Sequence, residues 1–264
     1  MQNRDLVSVI MGVHNTSKTK CCKAIHSIIE QTYSNWEFVI CDDGSSDDTF
    51  NFLKKFSKID TRIKVIRNRV NSGLAAALNK CIDNTKGNYI ARMDDDDISL
   101  PNRLEKELNF LKENPEFCFV SSNFYINKRS PKNIKRMPEY PKKGDFLWTS
   151  PYLHPATMFK RSCLLKVNCY RVAKETRRAE DYDLFMRMKA MKLNGYNLQI
   201  PLYVYSIERK KTRYIDRIYE VKVRYINFGK LDFPLWRVAF YIIKPLIVGL
   251  LPSGLIYKFR TKRS

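Results

Sequence analysis

Four consecutive aspartates, Asp94, Asp95, Asp96 and Asp97, follow directly on the apolar run Tyr89 to Met93. So many neighbouring carboxylates stay ionised at low cost only if water or a cation compensates them. At the end of a strand, carboxylates two positions apart can be steered toward one hard cation, Mg²⁺ or Mn²⁺, which keeps open positions for phosphate oxygens. Asp94 and Asp96 are the expected metal ligands, with Asp97 as a substitute ligand or close neighbour. The competing reading is a run of acids before a helix that begins near Ser99 with Pro101 in its first turn, where negative charge is favoured. It explains one or two acids better than four.

Two further acidic clusters stand elsewhere. In Asp42-Asp43-Gly44-Ser45-Ser46-Asp47-Asp48, turn and helix-cap roles are as good a reading as ligand contact for Gly44, Ser45, Ser46 and Asp48. Asp43 differs, because a carboxylate at a strand end can accept a base N–H and so select uracil. Arg177-Arg178-Ala179-Glu180-Asp181-Tyr182-Asp183 precedes a helical pattern; its acids serve as caps, as a surface ion-pair cluster, or as the carboxylate that deprotonates an incoming hydroxyl while a metal holds a departing diphosphate. Neither the lysine-containing nucleotide loop nor the dinucleotide fingerprint occurs, which argues against ATPase, kinase and nicotinamide-enzyme functions. Of the three histidines, His14 lies where it can meet a nucleotide and His26 reads as packing or surface. His154 reads first as a hydrogen-bonded core residue and second as a group on the acceptor side. Their dispersal makes no zinc site.

The elements that must carry these clusters alternate. Leu6 to Met11, Phe38 to Cys41, Ile63 to Ile66 and Tyr89 to Met93 are strand-like. Between them, Lys20 to Gln31, the stretch with Phe50, Leu53 and Phe56, and Leu74 to Ile82 repeat their apolar residues at helical spacing. This order predicts an α/β fold with a Rossmann-like, mostly parallel central sheet covered by helices on both faces. The polar clusters all follow carboxyl ends of strands, the edge on which such sheets bind ligands. Beyond them a helix over Arg103 to Asn114, a strand at Cys118 to Val120, an exposed Lys/Arg/Pro-rich excursion over Lys128 to Lys143 and a helix over Tyr182 to Leu193 are expected.

The length of 264 residues suits one catalytic domain with a tail. Seven cysteines without framework spacing read as reduced thiols. A net charge of +21 requires an anionic partner or working surface. From Ile207 to Ser264 there are 14 Lys or Arg against 4 Asp or Glu, enclosing the apolar Leu235 to Tyr257. Arg237, Lys244, Pro245 and Pro252 interrupt that stretch, so an interfacial anchor on an anionic membrane fits better than a span. The alternative is that these residues pack back over the catalytic domain as a final helix pair.

The chain resembles the family 2 glycosyltransferases, inverting enzymes of the GT-A fold. The resemblance rests on Val9-Ile10-Met11-Gly12-Val13-His14-Asn15, Asp42 to Thr49, Asn71-Ser72-Gly73, Ala91-Arg92-Met93-Asp94 to Ile98, and Glu180-Asp181-Tyr182-Asp183-Leu184, in order over roughly residues 5 to 190. It implies a UDP-sugar donor with Mn²⁺ or Mg²⁺. Asp43, supported by Asp42, would contact the uracil; Val13 and Asn15 would line the nucleotide pocket; Asn71, Gly73 and Arg92 would lie near ribose and diphosphate. Asp95 joins the donor-binding set, Asp94 and Asp96 match the metal pair, Asp181 the catalytic base, and Glu180 and Asp183 would orient acceptor or base. Tyr152 to Phe159 is similar to a segment of bacterial capsule and lipopolysaccharide transferases, and no glutamine-arginine-arginine-tryptophan signature of processive synthases is present.

The expected organisation is a catalytic domain over 1–206 and a helical, basic and apolar extension over 207–264, working peripherally on the inner face of the cell membrane on a glycan or lipid-linked acceptor, with no nucleic acid as partner. The rival is a basic nucleic-acid-binding protein without catalysis, which leaves the acids at strand ends unexplained.

Overall fold

The computed structural model describes residues 5–207 and 214–251. The chain opens with β1 (Val7–Val13), α1 (Lys18–Ile29), β2 (Trp36–Asp42), α2 (Thr49–Ile59), β3 (Ile63–Arg67), α3 (Leu74–Asp83) and β4 (Tyr89–Arg92). It continues with β5 (Ile98–Ser99), α4 (Arg103–Glu113), β6 (Phe119–Ile126), β7 (Ile134–Lys135), β8 (Met158–Lys160) and α5 (Arg161–Lys166). Last come α6 (Glu180–Ala190), β9 (Gly195–Tyr205), α7 (Tyr214–Lys230) and α8 (Leu235–Gly249).

One sheet runs in the order β3-β2-β1-β4-β8-β6-β9-β5, with β7 on β6. Its first four strands are parallel, as expected. The expectation of a mostly parallel sheet fails beyond β4, because β8 enters antiparallel between β4 and β6, and β5 and β7 also pair antiparallel. The sheet is therefore mixed. Three residues of β8 show no periodicity, so only long-range pairing defines that strand.

β1 is buried on both faces and accordingly reads as a continuous apolar run. Val7, Val9 and Met11 pack with α1 residues such as Ile25 and Ile28, while Ile10 packs with α3 residues Leu78 and Cys81. Each large apolar side chain buried in this way contributes about 1.5–3 kcal/mol. On the second half of the sheet, Phe119 packs against Tyr152, Phe159 and Phe185, and this cluster seats α6. The same core extends to Val223 and Phe228 of α7 and to Val238 and Ile242 of α8. Arg224 of α7 donates to the carbonyls of Leu147 (2.8 Å), Trp148 (3.2 Å) and Tyr241 (3.2 Å), joining both helices to the body. No described helix is long and apolar enough to cross a membrane. Of the tail singled out in the sequence, residues 208–213 and 252–264 lie outside the described residues.

Candidate active site

The loops after β1, β2, β3 and β4 are knitted together at the strand ends. The Asn15 N–H donates to Ser45 Oγ (2.9 Å), and Asn15 Oδ1 accepts the Ser46 N–H (3.0 Å). Asp43, fully interior, accepts from Asn68 Nδ2 (2.7 Å) and the Ser72 N–H (3.0 Å) on one oxygen and from the Gly73 N–H (2.7 Å) on the other. Asp42 accepts the Ser45 N–H (3.1 Å) and faces Arg67 Nε at 3.0 Å. Gly44 has φ +67, and a Cβ there would stand 2.5 Å from the Val70 carbonyl carbon, so glycine alone lets these two loops meet. Asn71 is exposed at this meeting point, and Val13 is buried beneath it with its carbonyl accepting the Asp43 N–H (2.7 Å). Asp42 and Asp43 thus tie the loops after β1, β2 and β3 into a cradle-like junction at which Val13, Asn15, Asn71 and Gly73 meet.

Within the four-aspartate run, Asp94, Asp96 and Asp97 bring carboxylate oxygens within 4.8 Å of one another. Asp97 is fully buried, accepts the Ser206 N–H on Oδ1 (2.7 Å) and keeps Oδ2 buried without a hydrogen-bond partner. Burial, with Asp94 and Asp96 adding like charge, pushes the Asp97 carboxyl well above the usual range. The Ser206 hydroxyl also donates to the Asp96 carbonyl (2.6 Å), so the end of β9 clasps the loop. An oxygen-only set of this kind, with an orphan buried oxygen, suits a hard divalent cation. Asp95 is excluded from the set: it bonds the Thr16 side chain, and burial raises its carboxyl to about 6.

Arg92 is 2% exposed, with its Nη1 2.5 Å from Asp94 Oδ1. It is thereby tied to the metal-type carboxylate set. Its charge acts on Asp94 and Asp97 and also on Glu180 and Asp181. One buried guanidinium is thus common to both acidic groups.

Glu180 and Asp181 open α6. Burial raises the Asp181 carboxyl from its ordinary value, opposed by the Tyr182 N–H and by Arg92, and burial with the Asp181 charge raises Glu180 to about 7. Asp181 lines a cleft of about 570 Å³ whose other walls include Trp148, Tyr205, Arg178, Glu220 of α7 and Lys244 of α8. Asp183 does not line it. Both its oxygens are taken internally, by Arg171 Nη2 (2.9 Å) and Asn227 Nδ2 (3.0 Å) and by Arg187 Nε (2.7 Å). The bond from Asn227 anchors α6 to α7. His154 does line the cleft but is buried and bonded through Nε2 to the Tyr170 hydroxyl (2.7 Å), and burial beside Arg92 holds it neutral.

Sequence reasoning missed Ser206, Arg67, Thr16 and every cleft residue from α7 and α8. No local pattern marks them; Ser206 meets Asp97 across 109 positions of chain.

Residues 8–173 match the family model "Glycosyl transferase family 2". The Bacillus subtilis (strain 168) protein provisionally named glycosyltransferase EpsE is 34% identical over 268 residues, covering 100% of this chain and 96% of its own. The O-antigen biosynthesis glycosyltransferase WbnJ of Escherichia coli is 33% identical over 217 residues, 79% of this chain and 82% of its own. Among solved structures, residues 1–349 of S. aureus TarS in complex with UDP-GlcNAc superpose with a TM-score of 0.70 at 16% identity, over 91% of this chain and 71% of that one.

Proposed function

From the premise that the chain belongs to glycosyl transferase family 2, we propose that it moves a sugar from a UDP-sugar to a hydroxyl of a glycan or lipid-linked oligosaccharide, with inversion, in the assembly of a cell-surface polysaccharide. One observation carries this reading: a single buried guanidinium, Arg92, pairs with Asp94 of a metal-type carboxylate set and also lends its charge to Asp181, a carboxylate that opens onto a cleft. That is the division of labour sugar transfer needs, a place for the departing diphosphate and a separate base. The UDP preference draws on the likeness to a structure that holds UDP-GlcNAc, and the polysaccharide role on the O-antigen relative.

In this reading the cradle edged by Val13, Asn15, Asn71 and Gly73 receives the nucleotide, and Asp43 and Asp42 keep that cradle in shape. Asp94 and Asp96, with Asp97 beside them, would hold Mn²⁺ or Mg²⁺, which supplies charge neutralisation for a diphosphate. Asp181 removes the proton of the acceptor hydroxyl, whose oxygen attacks the anomeric carbon as the bond to the UDP oxygen breaks. Arg92 keeps Asp94 aimed and lowers the cost of placing carboxylates this close. Residues 1–206 would form the catalytic unit. The extension over 207–264 would rest on an anionic membrane at the inner face of the cell, because α8 exposes Trp236, Phe240, Ile243 and Ile247 beside a basic sequence.

Calorimetric titration with UDP tests the core of the proposal. Binding should tighten on adding Mn²⁺ or Mg²⁺, and Asp96→Ala should remove most of that gain. Equal affinity in EDTA and in excess Mn²⁺ would remove the metal assignment.

A further inference from the structure

Two of the seven cysteines, Cys118 and Cys163, meet outside the acidic site. Cys118 directly precedes β6 and Cys163 lies in α5, and the antiparallel pairing of β6 with β8 brings them together. Phe119 stands opposite Phe159, and the Lys160 N–H donates to the Cys118 carbonyl (2.9 Å). Both thiols are free and they hydrogen-bond to each other. Neither takes part in the sugar-transfer chemistry above.

A second pair, Cys41 of β2 and Cys81 of α3, also bonds thiol to thiol, but both are 0% exposed inside the core. Cys118 is only half-buried and Cys163 keeps 6% of its surface open, so a small solute can reach this pair and not the other. The surroundings also divide the roles. The bond from Cys118, opposed by burial and helped by the Ser162 side chain, Lys166 and Lys160, lowers the Cys163 thiol to about 7, while the same bond and burial raise Cys118. Cys163 is thus the readier thiolate and Cys118 the thiol that donates to it. A thiolate beside cations is the form that attacks an oxidant, and a neighbouring thiol resolves the product.

We propose that Cys118 and Cys163 are a peroxide-sensitive dithiol that closes to a reversible disulfide, with hydrogen peroxide as the oxidant. The Cys163 thiolate attacks one peroxide oxygen; an S–O bond forms, the O–O bond breaks, and the departing hydroxide takes a proton and leaves as water. Cys163 is then a sulfenic acid. The Cys118 sulfur attacks the Cys163 sulfur, its proton passing to the departing hydroxide, so the S–S bond forms, the S–O bond breaks and a second water leaves. Two thiols lose two electrons and the peroxide gains them. The disulfide closes the span from Cys118 to Cys163, which includes Trp148, Leu153 and His154 of the cleft wall, and so ties together the two ends of that segment. In a reducing compartment the bond is transient, and thiol reductants reverse it. This chemistry is independent of sugar transfer and outlives any failure of that reading.

The test treats the reduced full-length chain with hydrogen peroxide, blocks the remaining thiols with N-ethylmaleimide in denaturant, and maps the peptides by mass spectrometry. Two of the seven thiols should escape blocking, in one intramolecular Cys118–Cys163 cross-link that dithiothreitol opens. Cys118→Ser should halt at a sulfenic acid on Cys163, trapped by dimedone, and Cys163→Ser should leave Cys118 reduced at the same peroxide dose. Melting temperatures check that both variants fold, and the wild-type cross-link decides the matter if either does not. Blocking of all seven thiols, a link through any other pair of cysteines, or oxidation of Cys163 to sulfinic acid with no cross-link overturns the proposal. Dimedone trapping on Cys118 in place of Cys163 overturns the assigned roles.

Discussion

Asp181 occupies the first turn of α6, where the Tyr182 N–H and the field of Arg92 favour its ionised form while burial opposes it and prevails. A raised carboxyl is a stronger base than a free one, and it loses its proton at a higher pH than a free one does. The acidic limb of the kcat/KM profile should therefore lie at a higher pH than a free aspartate would give, with activity falling as pH drops through it. Asp181→Asn should cut turnover by about 10² to 10⁴ while leaving UDP affinity and melting intact, since the amide is nearly isosteric and no group of the nucleotide cradle is touched. Retention of more than about a tenth of turnover would transfer the role to Glu180, the neighbouring carboxylate raised to about 7. Asp183 is no longer an alternative, because Arg171, Arg187 and Asn227 consume its oxygens.

At the scale of elements, α4 holds the metal-type loop from below. Arg103 and Glu107 are both fully buried, with Arg103 Nε 3.1 Å from Glu107 Oε1 and Arg103 Nη2 donating to the Arg92 carbonyl (2.9 Å). Burial nevertheless pushes Glu107 up to about 7, so the pair offsets its desolvation only in part. Glu107→Ala would leave the guanidinium uncompensated and should cost about 3–5 kcal/mol in urea unfolding. A loss under about 1 kcal/mol would mean that the pair behaves like an exposed one. The helical spacing of Leu104, Leu108 and Leu111 is plain in the sequence, and all three are buried. That Arg103 and Glu107 are buried as well is not, because an i,i+4 charge pair on a helix ordinarily marks a solvated face.

For the whole molecule, the decisive feature is that α8 serves two surfaces. Val238 and Ile242 belong to the core and Lys244 to the cleft, while Trp236, 75% exposed, Phe240 and Ile247 face outward. Deleting the helix would damage the fold as well as any membrane contact. The cleaner experiment replaces Trp236, Phe240 and Ile247 together with Gln. Exposed substitutions of this kind change stability by about 0.5 kcal/mol or less each, so melting should be nearly unchanged while co-sedimentation with anionic vesicles is lost. Undiminished co-sedimentation would place the membrane contact elsewhere on the chain.

The sequence by itself determined what repeats locally or carries charge in a cluster: the βα alternation through Arg92, the acids at strand ends, the basic tail and an ordered set of family motifs. Short-range periodicity and composition encode these directly. Only tertiary structure decided that β8 turns the sheet mixed, that Asp43 shapes a cradle through Asn68, Ser72 and Gly73, and that Asp97 joins Asp94 and Asp96 under the clasp of Ser206. It also decided which of three acids at the start of α6 opens onto a cleft. The physical reason is the same in each case. Where a carboxylate's charge is matched, and so what the carboxylate is free to do, depends on donors contributed by distant strands and helices, and no spacing along the chain records them.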